Sequence, residues 1–295
     1  MAFNFTVRTK KQIRVIIDTD ADCEADDPFA IAHALMSPKL VVKAIFATHF
    51  NEEGSMMRSY EEIQRVLKAM KLTYPVYKGA EKALSVNENV PLSPASEFLI
   101  DEALREDEKP LYVLCLGAIT NVAAALKEHP EISKRMKVIW ISGHDYKIKE
   151  IPFREFNSGN DIASANFIME NDVELWQVPT TVYGKMRIGL AEMQRRIYPC
   201  GDIGKHLFEK TVKYNGTDKA DWTPGESWSL GDSPAIALAI DEGCGKYEIS
   251  EAPIINDDTS YTFVTGRRKI RVYHYVDSRF VLEDFMSKLE LLYGM

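Results

Sequence analysis

The sequence has 295 residues, of which 45% are hydrophobic and 27% are charged, so it can bury a full core and is neither disordered nor fibrous. Its 36 basic and 44 acidic residues give a net charge of −8, which argues against nucleic acid as a partner. No apolar run approaches the roughly 20 residues of a membrane-spanning helix, and the first residues lack the apolar core of a signal peptide. We therefore expect a cytoplasmic protein with no membrane partner, and its scattered cysteines, which form no CxxC pair, indicate reduced thiols.

Strand-like apolar runs alternate with helix-like segments along the first part of the chain. This alternation predicts an α/β fold with a mainly parallel central sheet flanked by helices. The predicted strands are 13–17, 40–47, 111–116, 138–141 and 174–178, and the predicted helices are 28–36, 55–70, 119–127 and 162–169.

The pattern is weaker in the last third of the chain. Helices are predicted at 203–214, 233–240 and 277–292. Residues 262–264 and 269–275, joined through Gly266 and Arg267, predict a small C-terminal β-hairpin. Because no repeat or linker interrupts the sequence, we expect residues 1–295 to form one domain.

Six acidic residues fall within the ten positions from Asp18 to Asp27, where the first strand meets the first helix. In an open parallel sheet, ligands bind at the carboxyl ends of the strands. Crowded carboxylates repel one another unless they are protonated or a cation neutralises them, and oxygen ligands favour Ca²⁺ or Mg²⁺. The same residues could instead form a solvated acidic loop in which Asp27 caps the helix.

Two other chemistries use similar acidic segments. A calcium-binding EF-hand loop counted from Asp18 needs glycine at its sixth position and glutamate at its twelfth, where this chain has Cys23 and Phe29. A phosphatase of the haloacid dehalogenase type would use Asp18 as nucleophile and Asp20 as acid/base. That interpretation leaves the Asp26-Asp27 pair without a role.

Four segments, in the right order, resemble motifs of the nucleoside hydrolase family, of the inosine/uridine-preferring type. The acidic segment resembles DTDxGxDD, with Asp18 and Asp20 at its start and Asp26 and Asp27 at its end. The later matches are LGAITN at 116–121 with LGPLTNhA, EFNSGNDIA at 155–163 with EFNxxxDPxAA, and GDSPA at 231–235 with HDPxA.

The resemblance implies Ca²⁺-dependent hydrolysis of the N-glycosidic bond of ribonucleosides, with a small-molecule nucleoside as substrate, and we expect a homo-oligomer. It implies that Asp20 is the base that activates water and that Asp26, Glu155 and Asn157 hold the ribose. Asn51 and His144 are further candidates for substrate contact. The implied Ca²⁺ ligands are Asp20, Asp27, Asp232 and the backbone carbonyl of Thr120.

The sequence also departs from the family pattern. Two additional residues lie between Asp20 and Asp26, and Asp22 and Glu24 in this longer loop have no assigned role. Gly231 replaces the histidine that some members use to protonate the leaving base. A catalytically weak ribose- or nucleoside-binding protein on the same fold is therefore the alternative function.

Overall fold

A computed structural model describes residues 3–84, 92–148 and 150–294, and its centre is an eight-stranded sheet. The strands of this sheet are β1 (Ile13–Thr19), β2 (Leu40–Ala47), β3 (Val76–Lys78), β4 (Leu111–Cys115), β5 (Met136–Ile141), β6 (Glu174–Val178), β9 (Gly245–Glu251) and β12 (Lys269–Val276). Their order is β3-β2-β1-β4-β5-β6-β12-β9, and all neighbours are parallel except β12 and β9. Two antiparallel pairs lie outside it, β7 (Arg187–Gly189) with β8 (Ser227–Ser229) and β10 (Ile254–Ile255) with β11 (Tyr261–Thr262).

Helices cover both faces of the sheet. Alternate side chains of β1 point to opposite faces, so Val15 and Ile17 join one buried core and Ile16 joins the other. The first core also contains residues of α1 (Asp27–Leu35), α2 (Ser55–Met70), α9 (Gly201–Asn215), α10 (Ser233–Ile240) and α11 (Ser278–Tyr293). The second contains residues of α3 (Pro94–Leu104), α4 (Thr120–Glu128) and α6 (Ile162–Glu170), and the short helices are α5 (Phe156–Asn160), α7 (Thr180–Tyr183) and α8 (Leu190–Arg196).

The α/β prediction is confirmed, and the C-terminal strands need one correction. A short antiparallel hairpin is present there, but it joins β10 to β11. The second expected strand, β12, instead enters the central sheet between β6 and β9. Its side chains Ile270 and Val272 are buried in the second core, and this burial favours the central position.

The site is positioned by the order of strands β1 and β4. They are neighbours, yet the chain leaves β1 towards β2 on one side and leaves β4 towards β5 on the other. A crevice forms at such a switch point, at the carboxyl ends of the strands. Asp20 follows β1 and Leu116 follows β4 at this edge. Within the described ranges, no helix is both long enough and apolar enough to cross a membrane.

Candidate active site

A cavity of about 80 Å³ lies at the carboxyl ends of β1 and β4. The acidic loop after β1 forms one wall, and the segment around α5 forms another. Residues from six separate parts of the chain therefore meet in one small space. The lining residues are Asp20, Cys23, Glu24, Asp26, Asp27, Leu116, Ile141, Glu155, Phe156, Asn157, Tyr183, Gly231 and Asp232.

Three carboxylates form the closest acidic group in this cavity. One oxygen each of Asp26, Asp27 and Asp232 lies within 4.8 Å of the others. Asp27 is the first residue of α1 and Asp232 precedes α10, so two helix starts face each other across the cavity. The expected capping role of Asp27 is not observed, because its carboxylate instead accepts a hydrogen bond from the Thr19 hydroxyl.

Burial raises the pKa of all three carboxyl groups of this cluster and that of the neighbouring Asp20 and Glu24. For Asp20 the charges of Asp27, Asp26 and Glu24 add to the effect of burial, and for Asp232 those of Asp26 and Asp27 do. Burial raises the pKa of Asp27 to about 6 and that of Glu24 to about 7. The cluster therefore carries its full negative charge at neutral pH only if a cation offsets the repulsion.

The residues fit a hard divalent cation. The close group consists only of carboxylate oxygens, the ligand type of Ca²⁺ and Mg²⁺. Asp26 belongs to this group although the resemblance implied a ribose contact for it. Asp20 lines the same cavity but lies outside the close group.

Asp20 is held against a glycine. A Cβ atom added at Gly117 would lie 2.5 Å from Oδ1 of Asp20 and 2.9 Å from Cγ2 of Thr48. Only a residue without a side chain therefore leaves room for the Asp20 carboxylate at this position. Asp20 itself is 2% exposed.

Asp18 does not reach the cavity. It is fully buried, and Oδ1 accepts a hydrogen bond of 2.9 Å from Nδ2 of Asn121. Among the described residues, nothing donates a hydrogen bond to its other carboxylate oxygen. A phosphatase that uses Asp18 as its nucleophile is therefore incompatible with this arrangement, because the substrate could not reach the attacking oxygen.

Glu155 and Asn157 both line the cavity, where the carboxylate of Glu155 is firmly fixed. It accepts hydrogen bonds from the hydroxyl of Ser142, from the amide and hydroxyl of Ser158, from the amide of Asn157 and from the hydroxyl of Tyr183. Nδ2 of Asn157 donates to the carbonyl oxygens of Leu116 (2.6 Å) and Ile141 (2.8 Å), which leaves its own Oδ1 as an acceptor.

Thr120 lies away from the cavity lining. Its hydroxyl donates to Asp161 (2.7 Å) and contacts the ring of His49 (2.8 Å). The residue of the LGAITN segment that lines the cavity is Leu116.

Asn51 and His144 also lie outside the cavity lining. Asn51 is exposed and adopts a positive φ of 59°. His144 is buried, with Nε2 3.0 Å from the carbonyl oxygen of Phe153 and Nδ1 3.3 Å from the hydroxyl of Thr180. Both ring nitrogens of His144 thus have local partners.

Sequence reasoning did not single out Tyr183, which packs where a side chain at position 231 would extend. A Cβ atom at Gly231 would lie 3.3 Å from Cδ2 of Tyr183 and 3.0 Å from Oδ2 of Asp26. Tyr183 ends α7, shortly after β6, so its position beyond a strand end was the available signal. Leu116 and Phe156 were missed as lining residues although both lie inside matched motifs.

Comparison with known proteins identifies the family. The sequence model of the inosine-uridine preferring nucleoside hydrolases matches residues 15–279. The chain belongs to this nucleoside hydrolase family. A relative, the pyrimidine-specific ribonucleoside hydrolase RihA of Escherichia coli O1:K1 / APEC, is 30% identical over 68% of this chain and 72% of its own length.

Solved nucleoside hydrolases share the fold. A purine-preferring ribonucleoside hydrolase from Gardnerella vaginalis superposes with a TM-score of 0.79 and 21% identity over 95% of this chain and 98% of that chain. The plant nucleoside hydrolase PpNRh1 gives a TM-score of 0.79 with 20% identity over 94% and 98%. The protein is thus an enzyme of the nucleoside hydrolase family, whose reaction is cleavage of the N-glycosidic bond of ribonucleosides.

Proposed function

We propose that this nucleoside hydrolase depends on Ca²⁺ and that Asp20 is its general base. The observation that carries the proposal is the group of Asp26, Asp27 and Asp232, whose carboxylate oxygens lie within 4.8 Å of one another beside Asp20. Asp27 and Asp232 of this group and the neighbouring Asp20 would hold the cation, while Asp26, the third member, would face the sugar. The carbonyl of Leu116 would take the role first assigned to Thr120. Ca²⁺ suits this set because it accepts six to eight oxygen ligands in flexible geometry.

The chemistry follows from the residues that face the cavity. A bound divalent cation would lower the pKa of a water molecule there and so supply a nucleophile near neutral pH. Asp20 accepts the proton from the attacking water. Negative charge from the neighbouring carboxylates stabilises the oxocarbenium-like sugar that forms as the N-glycosidic bond breaks.

The sugar is held by groups whose positions are fixed before it binds. Oδ1 of Asn157 is an acceptor for a ribose hydroxyl, and Asp26 and Glu155 lie beside it on the cavity wall. Because hydrogen bonds from several groups fix Glu155, its side chain loses little conformational entropy when the sugar binds. The reacting carbon is thereby presented to the water.

The base occupies the larger neighbouring space. A cavity of about 900 Å³ lies beside the first, and Cys23 lines both. Its walls include the aromatic residues Phe50 and Tyr214, which offer apolar surface to a planar base. The polar lining of this cavity contains both carboxylates and cations, so it offers hydrogen-bond acceptors as well as donors to the base.

A panel of ribonucleosides, assayed with added Ca²⁺ and after chelation with EDTA, tests the proposal. We expect base release with Ca²⁺ and its loss with EDTA, and elemental analysis should find one Ca²⁺ per chain. Asp20→Asn should lower kcat by at least about 100-fold, because the general base is removed, while ribose binding persists. Asp221→Asn, a carboxylate outside both cavities, is the matched control. Full activity of metal-free protein, or an unchanged rate for Asp20→Asn, would contradict the proposal.

A further inference from the structure

A third cavity, of about 640 Å³, lies at the opposite edge of the sheet from the active site, where β4, β5, β6 and β12 begin. Its volume falls within the range of about 300–1,000 Å³ that is usual for small-ligand sites. Two carboxylates line it, those of Asp172 and Glu174. We call it the basic groove because six cationic residues also line it: Lys134, Arg135, Lys137, Arg268, Lys269 and Arg271.

The sheet order explains why these cations converge. β5 and β12 lie on either side of β6. Three of the cations lie at the start of β5 or just before it, and three lie at the start of β12 or just before it. The two carboxylates belong to the start of β6 between them, so positive charge flanks the groove on both sides.

Part of this charge is neutralised within the groove. Lys134 pairs with Asp172 at 3.4 Å. Glu174 lies 3.3 Å from Lys137 and 3.5 Å from Arg271. Both lining carboxylates are therefore already engaged.

Arg268 and Lys269 are not neutralised by an ion pair of this kind within the described residues. The guanidinium of Arg268 donates to the carbonyl oxygens of Val173 (2.6 Å) and Ile168 (3.5 Å). In the described part of the chain, no carboxylate oxygen lies within 4 Å of the charged nitrogens of Arg268 or Lys269, although Glu106 pairs with Arg135 and Glu242 with Arg271. Arg268 is also partly buried, so it has lost part of its hydration, and the charge of Asp172 acts on it only from beyond ion-pair distance.

We propose that the basic groove binds a small soluble oligophosphate, such as pyrophosphate, tripolyphosphate or the phosphate chain of a nucleoside triphosphate. A guanidinium presents parallel N–H donors that match phosphate oxygens, and Lys269 adds a compact charge beside it. A short anion fits better than a nucleic acid strand, because a chain with a net charge of −8 repels an extended polyanion outside the groove.

Isothermal titration calorimetry of the full chain tests this site, with tripolyphosphate as the probe in low-salt buffer without added Ca²⁺. We expect one binding event per chain, weakened at least about 10-fold in the double variant Lys134→Glu/Lys269→Glu. The Lys269 change reverses a free charge of the groove, and the Lys134 change removes the ion-pair partner of Asp172, so both changes repel the anion. Both lysines are exposed, so the variant should fold, and nucleoside hydrolysis provides the check. The double variant Lys68→Glu/Lys205→Glu on α2 and α9 makes the same change in net charge away from the groove and should bind normally.

Pyrophosphate and ATP titrations separate the two sources of the ligand. If ATP binds no more tightly than tripolyphosphate or pyrophosphate, the site belongs to an inorganic oligophosphate. If ATP binds more tightly than tripolyphosphate, the site belongs to a nucleotide. Absence of binding, or equal weakening in both double variants, would overturn the proposal. So would tighter binding of a single-stranded RNA oligonucleotide than of tripolyphosphate at the same salt concentration.

Discussion

Gly117 controls the position of the proposed general base although it carries no functional group. The Asp20 carboxylate occupies the space that any side chain at position 117 would need. Reading the sequence for reactive side chains does not select a glycine, yet Gly117 determines where the Asp20 carboxylate oxygen can lie.

Gly117→Ala should lower kcat by about 10- to 100-fold, because a displacement of about 1 Å at a reacting group is sufficient for such a loss. Steady-state kinetics at saturating nucleoside would measure the effect. Gly216→Ala is the matched control, since a Cβ there meets only ordinary contacts of 3.5 Å and 3.6 Å. Unchanged kcat for Gly117→Ala would show that Asp20 tolerates displacement.

Departure of the base depends on whether a side chain can protonate it. Among the described residues that line the active-site cavity there is no histidine, and Tyr183 packs against Gly231 where a histidine would extend. His206 lines the larger cavity, but its Nε2 is engaged 2.8 Å from the carboxylate of Glu62. The Tyr183 hydroxyl donates to Glu155 at 3.2 Å, so it is already engaged.

We therefore expect the rate to depend steeply on the leaving group. A riboside with an acidic phenol leaving group should react far faster than inosine, as measured by kcat/KM for both substrates. His144→Ala should not lower the activity on inosine selectively, because both ring nitrogens of His144 have local partners. A selective loss on inosine would identify His144 as the proton donor.

Among the structural elements, the lengthened loop between β1 and α1 is tied to two helices. Asp22 lies 3.1 Å from Lys210 of α9, 3.8 Å from Arg58 of α2 and 3.7 Å from Arg65 of α2. Lys210 also lies 3.6 Å from Glu62 of α2, which joins Glu62 to the same charge network. Burial alone would raise the pKa of Glu62, but its hydrogen bond with His206 and the charge of Lys210 lower that pKa to about 2. The loop carries Asp26 and leads directly into Asp27 at the start of α1, so this charge network fixes the acidic cavity wall to the packing of α2 against α9.

Asp22→Ala should raise KM for the nucleoside several-fold and speed amide hydrogen exchange in residues 21–26, because the loop loses its ties to α2 and α9. The free energy of unfolding should change by no more than about 1 kcal/mol, the usual value for partly exposed ion pairs. Glu61→Ala removes an exposed carboxylate 3.9 Å from Arg65 and serves as the control. If both variants show the same KM and exchange as the parent, the loop does not depend on Asp22.

Sequence patterns predicted the elements that have strong periodicity and missed those that lack it. Helix α2 begins and ends where its amphipathic pattern placed it, and β6 matches its apolar run. β9 was not predicted because four of its seven side chains are exposed, and β12 was assigned the wrong partner because pairing depends on distant segments. The sequence motifs contain Asp27, Asn157 and Asp232, so these lining residues could be predicted. Tyr183 lies in no motif, and only the fold brings it to the cavity.

For the whole molecule, the buried carboxylates link stability to pH and cation. Burial raises the pKa of Asp18 to about 7, and that of Asp27 to about 6, above their ordinary value of 3.8. The folded chain then holds more protons than the unfolded chain between these values. Through these groups, the stability of the metal-free protein falls as pH rises from about 4 to about 7.

Three expectations about the whole molecule remain predictions: a single domain, a homo-oligomer and a cytoplasmic location.

Added Ca²⁺ should therefore raise the melting temperature more at about pH 7.5 than at about pH 5, because at the higher pH it replaces protons that the cluster has lost. Differential scanning calorimetry with EDTA or Ca²⁺ at matched ionic strength measures this difference. The same increment at both pH values would show that cation binding is not coupled to these carboxyl groups.

Cys23 lines both the small acidic cavity and the large neighbouring one. Burial, together with the charges of Asp20 and Glu24, raises the pKa of its thiol well above the ordinary value, so it stays protonated and unreactive. Its contribution is then its volume, because Cys23 is the residue that the described linings of the two cavities share, and it forms the partition between the proposed sugar site and the proposed base site. A wider or narrower partition would change which glycosides can span the two compartments, while the bond-breaking residues stayed the same.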